Sequence, residues 1–223
     1  MKLKGYKVIS GTLRCETGLH IGGSADQIEI GGVDLPIIKH PVTGEPYIPG
    51  SSLKGKMRCQ LERKLGKFGL NKRGEPTDPC KCGNDDCLVC RVFGAHQNTN
   101  HKLGPSRILV RDAAFNERTR KEYQSITKEK GTPFIEKKTE NIINRKSGTA
   151  EHPRSQERVP AGAEFDIEIV LQVYDTDDEN ALIDFVKEGL RQVQSTYLGG
   201  FGSRGSGKVS FYDMKIDGTQ FSL

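Results

Sequence analysis

Apolar and polar residues alternate most regularly over residues 163–174, AEFDIEIVLQVY, where Phe165, Ile167, Ile169 and Leu171 share one face. A period of two marks a strand with one buried side. Residues 7–16, KVISGTLRCE, alternate through Val8, Ser10 and Thr12 until Leu13 falls out of phase, which predicts a strand with a bulge near Gly11. Residues 106–115, SRILVRDAAF, predict a second central strand. Residues 28–40, IEIGGVDLPIIKH, predict a strand or ribbon broken by Gly31, Gly32 and Pro36, and PVTGEP reads as a turn closing a hairpin onto Tyr47 and Ile48.

Elsewhere the apolar period lengthens to that of a helix. Leu53, Met57, Leu61 and Leu65 recur every fourth residue behind Pro49-Gly50, with Ser51 or Ser52 as the cap. From about Asp178, a second stripe runs through Leu182, Phe185, Val186, Leu190 and Val193. A last strand covers Lys208–Asp213. The series is β-α-β-β-α-β, which predicts an α+β, ferredoxin-like (RRM-like) core. The whole chain, 1–223, is read as one domain with insertions over 66–105 and 116–161. Such a sheet is a common RNA platform, but a fold alone assigns no function.

Composition narrows the partner. Only 34% of residues are apolar, mean hydropathy is −0.57, and 26 glycines and ten prolines point to a loop-rich fold. With no Trp and 7% aromatics, base stacking is a poor main mode of recognition. The net charge of +5 is modest but clustered: 14 of the 34 Lys and Arg lie in 54–73, 136–138 and 145–158. That distribution suits a polyanion on one face. The N-terminus lacks a signal-like apolar core, and no run nears the roughly 18 apolar residues of a span. A soluble, cytoplasmic protein without a membrane partner is expected.

Three motifs carry chemistry. Cys80, Cys82, Cys87 and Cys90 form C-x-C-x4-C-x2-C, a set able to close a tetrahedral zinc site that leaves no open position. The first pair is tight, so His96 or His101 could replace one Cys. This zinc is read as structural, folding a segment with little apolar content. Cys15 and Cys59 read as core thiols. Gly50 to Lys56, GSSLKGK, resembles a P-loop, but Met57 stands where a magnesium-ligating hydroxyl is needed. What remains is a phosphate cradle: the helix start with Ser51, Ser52, Lys54, Lys56 and Arg58. Gly200, Gly202 and Gly205 match G-x-G-x-x-G, yet the loop follows a helix and leads into a strand, the reverse of a dinucleotide site. With Ser203, Arg204 and Lys208, that loop can still bring N–H groups and cations to phosphates.

Residues 131–160 are polar around Ile142, Ile143 and Val159, with a turn at Ser147-Gly148. An ordered two-stranded arm touching nucleic acid is favoured over a disordered basic loop. Asp34 is a lone acid on a glycine-flanked turn near the cradle. Asp112 could be its partner, though an ion pair with Arg107 or Arg111 is the plainer role. His20 could act as a general base, but hydrogen bonding within a tight turn is the plainer role.

The strings CETGLHIGG (15–23), DLPIIKHPVTGEPYIPGSSLKGKMR (34–58) and YLGGFGSRGSGKV (197–209) resemble the RAMP-type backbone subunits of type III-A (Csm) CRISPR effector complexes. The resemblance runs nearly end to end; the paralogous Cmr subunits are similar in fold but match these strings less well. It implies copies stacked as a helical filament on a guide (CRISPR) RNA, alongside other Csm subunits. It also implies single-stranded target RNA cut at regular intervals by 2′-OH attack, with Asp34 as the catalytic acid and Mg²⁺ or another divalent cation required. Segment 131–160 matches the thumb of that family through Glu140, Asn141, Ile143, Arg145, Arg154, Glu157 and Arg158. The Ser51–Arg58 helix start and the glycine loop match its guide-binding surfaces. The alternative is a non-catalytic guide-binding scaffold; a stand-alone guide-processing nuclease would need a His that neither His20 nor His40 supplies convincingly.

Overall fold

The computed structural model describes residues 1–23, 34–131 and 134–223. Its main sheet has five strands in the order β2-β5-β1-β6-β7, each neighbouring pair antiparallel. They are β1 (Leu3–Cys15), β2 (Ile108–Val110), β5 (Glu164–Tyr174), β6 (Val209–Ile216) and β7 (Thr219–Gln220). A separate two-stranded sheet pairs β3 (Glu136–Ile143) with β4 (Ala150–Arg158). The helices are α1 (Gly50–Leu65), α2 (Leu88–Phe93), α3 (Glu117–Lys130) and α4 (Glu179–Ser195). The architecture is therefore mixed α+β with antiparallel sheets.

Period-two alternation sets the core. Phe165, Ile167, Ile169 and Leu171 of β5 are buried together with Ile9, Leu13 and Cys15 of β1. The stripe Leu182, Phe185, Val186, Leu190 and Val193 of α4 packs there, and α1 packs beside α4 through Leu53, Met57 and Leu61. Burying a large aliphatic or aromatic side chain stabilises by about 1.5–3 kcal/mol, so this two-layer core carries most of the fold. The bulge expected near Gly11 is present as a register shift against β6 between Ser10 and Thr12.

Several expectations need correction. The 106–115 strand is only three residues long and lies at the sheet edge, because Ala113 and Phe115 leave it to bridge Ile48 and Phe165. Leu65 is 47% exposed at the end of α1, outside the buried stripe. Neither Ser51 nor Ser52 caps α1, which begins one residue earlier with Pro49 as N-cap and no side-chain cap of its own. The Asp112 carboxylate instead accepts from the Gly50 N–H at 2.7 Å, a cap delivered from the β2 end. A Cβ at position 50 would overlap the Val110 carbonyl, so only glycine admits that approach. Two helices lie where none is expected: α2 in the cysteine insertion and α3, capped by Asn116, ahead of the arm. Of the expected 28–40 ribbon, residues 28–33 lie outside the described residues. The remainder makes isolated bridges, Leu35 to Gln156, Ile37 to Gly22 and Lys39 to Pro46.

Candidate nucleic-acid interface and metal centre

Asp34 is exposed, and its carboxylate accepts from the Ser155 N–H at 2.9 Å. The next residues continue along β4. The Glu157 N–H donates to the Leu35 carbonyl at 2.9 Å, and the buried Glu157 carboxylate accepts from the Ile37 N–H at 3.1 Å and from Lys39 at 2.9 Å. On the same strand the Glu157 carbonyl accepts from His20 Nδ1 at 2.8 Å, and Val159 exchanges backbone bonds with Leu19. A carbonyl cannot donate, so His20 carries its proton on Nδ1. His20 is thus a buried tie between distant segments, its ring 4.9 Å from that of Phe201, rather than a member of its own tight turn. Asp112 pairs with neither Asp34 nor its neighbours: Arg107 is bound by Asp177 and Arg111 faces Glu168.

The two cation-bearing segments meet on Tyr197. Lys56 Nζ stands 3.3 Å from the centroid of its ring, a close cation–π contact. A Cβ at Gly202 would overlap that ring, so the glycine loop lies flat against Tyr197. The loop makes a 3-10 turn over Gly202–Arg204, flanked by left-handed residues Phe201 (φ 60°) and Gly205 (φ 83°). A left-handed phenylalanine is costly, and such strain gathers at functional sites. Phe201 lines a small pocket with Leu35, Glu140, Arg154, Gln156 and Arg204, where the Asp34 loop, the arm and the glycine loop join.

The residues expected to bind RNA separate into two groups. Ser51, Asn141, Arg145, Arg154, Ser203, Gly205 and Lys208 are exposed; Ser52, Lys56, Gly200 and Gly202 are partly so. Four cations already have protein partners. Lys54 donates to the Ile108 carbonyl at 3.2 Å, and burial, then the Arg58 charge, lower its pKa. Arg58 pairs with Glu62 at 2.7 Å. Arg158 pairs with Glu136 and donates to Ser206 at 3.2 Å, with its Nε buried and unpartnered. Arg204 pairs with Glu140 at 2.7 Å, while its carbonyl accepts from Lys138. Burial alone would raise the Glu140 pKa, but the Lys138 hydrogen bond and the charges of Arg204, Lys138 and Arg154 hold it below the usual range. Tyr197 and Phe201 escaped the sequence reading; their signal was their place within YLGGFGSRG.

The four cysteines converge. Sγ atoms of Cys80 lie 3.6 Å from Cys82, 3.9 Å from Cys87 and 3.6 Å from Cys90, and Cys82 lies 3.8 Å from Cys90. A tetrahedron with metal–sulfur bonds of about 2.3 Å has edges of about 3.8 Å, so the set fits a metal such as zinc. Among the described residues this is the cluster suited to a metal ion, and neither His96 nor His101 belongs to it. Helix α2 begins directly after Cys87 and contributes Cys90.

The RAMP superfamily model matches residues 12–210. The "CRISPR system Cms endoribonuclease Csm3" of Methanothermobacter thermautotrophicus is 44% identical over 97% of this chain and 87% of its own. The protein of the same name from Streptococcus thermophilus is 36% identical over 92% of this chain and 87% of its own. Among solved structures, a Csm3–Csm4 subcomplex of the type III-A CRISPR-Cas interference complex superposes with a TM-score of 0.60 at 32% identity, covering 97% of this chain and 80% of that one. A type III-B Cmr-β complex bound to cognate target RNA shares the fold, with a TM-score of 0.60 at 16% identity over 95% of this chain and 60% of that one. The chain belongs to the RAMP superfamily and, within it, to the Csm3 family.

Proposed function

We propose that this chain is a guide-RNA-binding backbone subunit of a type III CRISPR effector complex and an endoribonuclease that cuts the complementary target RNA. One observation carries the reading: the exposed Asp34 is hydrogen-bonded by the base of the β3–β4 arm, and its neighbour Leu35 meets the arm and the cation-bearing glycine loop at one small pocket. The relatives named as Csm3 endoribonucleases support it across nearly the whole chain. In this reading the strand order is the ferredoxin-like plan within a single RAMP domain, with insertions over 66–105 and 116–161. The β3–β4 hairpin is the thumb, intruding between guide and target. Copies stack as a filament with the other Csm subunits in the cytoplasm.

Each element has a chemical task. The start of α1 and the glycine loop hold guide phosphates through the side chains of Ser51, Lys56, Ser203 and Lys208. The arm distorts the target strand, bringing a ribose 2′-OH in line with the neighbouring phosphate. Asp34 orients that hydroxyl or a hydrated divalent cation; one carboxylate is enough to hold Mg²⁺ with most of its waters. A bound divalent cation would supply charge neutralisation on the scissile phosphate. Zinc in the cysteine cluster builds structure and takes no part in cleavage, since four thiolates close its coordination.

Asp34→Ala in the assembled complex tests this. Guide affinity and assembly are expected to stay at wild-type levels while target cleavage is lost. Cleavage at the wild-type rate would leave the chain a scaffold.

A further inference from the structure

Arg58 and Glu62, one turn apart on α1, both close onto the peptide groups of a single cysteine. Glu62 Oε1 lies 2.7 Å from Arg58 Nε and accepts from the Cys80 N–H at 2.8 Å. The Arg58 guanidinium donates in turn to the Cys80 carbonyl at 2.8 Å. Their side chains are only 15% and 7% exposed, so water screens the pair little. Cys80 is also the hub of the thiol cluster, with its Sγ within 3.9 Å of the other three.

We infer that Arg58 and Glu62 latch the cysteine cluster to α1, so that metal occupancy and the RNA grip of α1 are coupled; this rests on the function proposed above. A metal bound by Cys80 fixes its thiolate and therefore its peptide groups. Those groups fix the Glu62 and Arg58 side chains on the turn that follows Lys54 and Lys56. Glu62 is a positioning residue for the metal ligand, of the kind whose loss weakens metal affinity without touching the metal. Arg58 is then committed to the loop, and its charge stands behind Lys54, whose ammonium is held at the Ile108 carbonyl. Without metal, the loop 80–90 loses the bond that orders it, and the latch loses its anchor. Coupling of this sort is reciprocal: if metal raises RNA affinity, RNA raises metal affinity by the same factor.

The test measures zinc affinity by chelator competition on the full chain, with and without a fluorescein-labelled single-stranded RNA. Glu62→Ala, which removes the acceptor of both hydrogen bonds, is expected to weaken zinc binding by about 10–100-fold. RNA is expected to tighten zinc binding severalfold in the wild type and to lose that effect in Glu62→Ala. Arg58→Lys, which keeps the charge but not the fork, should fall between the two. Equal zinc affinity in Glu62→Ala and wild type overturns the latch. So does an RNA effect that is absent from the wild type or identical in both; the wild-type arm requires no variant to fold. If Lys56→Ala weakens RNA binding while coupling is absent, the latch alone fails. A chain that binds no zinc, or whose RNA affinity ignores Lys56, overturns the underlying reading and the latch with it.

Discussion

The Asp34 carboxylate is held at 2.9 Å by the backbone N–H of Ser155, 121 residues further along the chain. Among the described residues, the arm therefore supplies the hydrogen bond that holds the acid. Ser155 lies where β4 meets the Asp34 loop, so a proline there removes this one donor from an edge strand. Ser155→Pro is expected to slow target cleavage about 10-fold or more, since a hydrogen bond to a charged group is worth about 1.5–3 kcal/mol. Ser155→Ala retains the N–H and should cleave at the wild-type rate. Single-turnover cleavage beside guide-binding titrations checks both variants; equal rates for the two would separate Asp34 placement from the arm.

Lys54 and Lys56 differ in surroundings although they are two residues apart. Lys54 is committed to the Ile108 carbonyl, whereas Lys56 rests on Tyr197 beside the glycine loop. The double variant Lys54→Ala/Lys56→Ala is expected to flatten the salt dependence of RNA binding by about 1.4 in slope if both neutralise phosphates, and by about 0.7 if Lys56 alone does. Affinity measured across a salt series reads the difference. An unchanged slope would remove α1 from the interface.

Arg107 is fully buried and held bidentately by Asp177, at 2.7 and 2.9 Å, while Arg91 reaches the same carboxylate at 3.1 Å. Burial alone would raise the Asp177 pKa, but the hydrogen bonds from Arg107, the Tyr174 N–H and Arg91 hold it below its ordinary 3.8. A carboxylate held low contributes stability that is present above that ordinary value and lost as pH falls through the folded one. Asp177→Asn should cost about 3–5 kcal/mol at neutral pH by stranding a buried guanidinium. It should also remove part of the loss of stability below about pH 4. Denaturant unfolding at neutral and acid pH measures both effects.

Metal analysis of the purified chain is expected to find one zinc for each protein molecule. Cys87 is wholly buried within the cluster, and Cys87→Ser should lose the metal and lower Tm markedly, because metal binding and the folding of this loop are one process. Less than one zinc for each wild-type chain would count against the site. Wild-type thermal stability in Cys87→Ser would count against its structural role.

The elements with strong periodicity were legible in the sequence. β5 and α4 bury the side chains their patterns indicate, and the irregular phase at Leu13 accompanies a true register shift. The four-cysteine spacing likewise pointed to one cluster. Elements held by tertiary contacts left no such trace. Helix α3 is polar apart from Tyr123 and Ile126 and, among its described side chains, buries only Thr119 and Tyr123, so no apolar stripe announces it. The α1 cap comes from Asp112, 62 residues away, and no local pattern encodes a cap at that distance. Cation clusters were visible as charge, but their ion pairs with Glu62, Glu136 and Glu140 required the fold.

The arm is tied down at every second residue of its base, through Ser155, Glu157 and Val159, whereas its tip closes on itself through Asn144 and Thr149. The reach of the arm and the position of Asp34 are therefore separable quantities. Two residues added to each strand near the tip would extend the arm by about 7 Å and, because the pleat repeats every second residue, keep every face as it is. Asp34 would not move. A shift of one residue below Arg154 would instead turn β4 over and offer the acid loop the wrong side of the strand. In the proposed function, the arm can be lengthened as a ruler while the acid that cuts stays where it is.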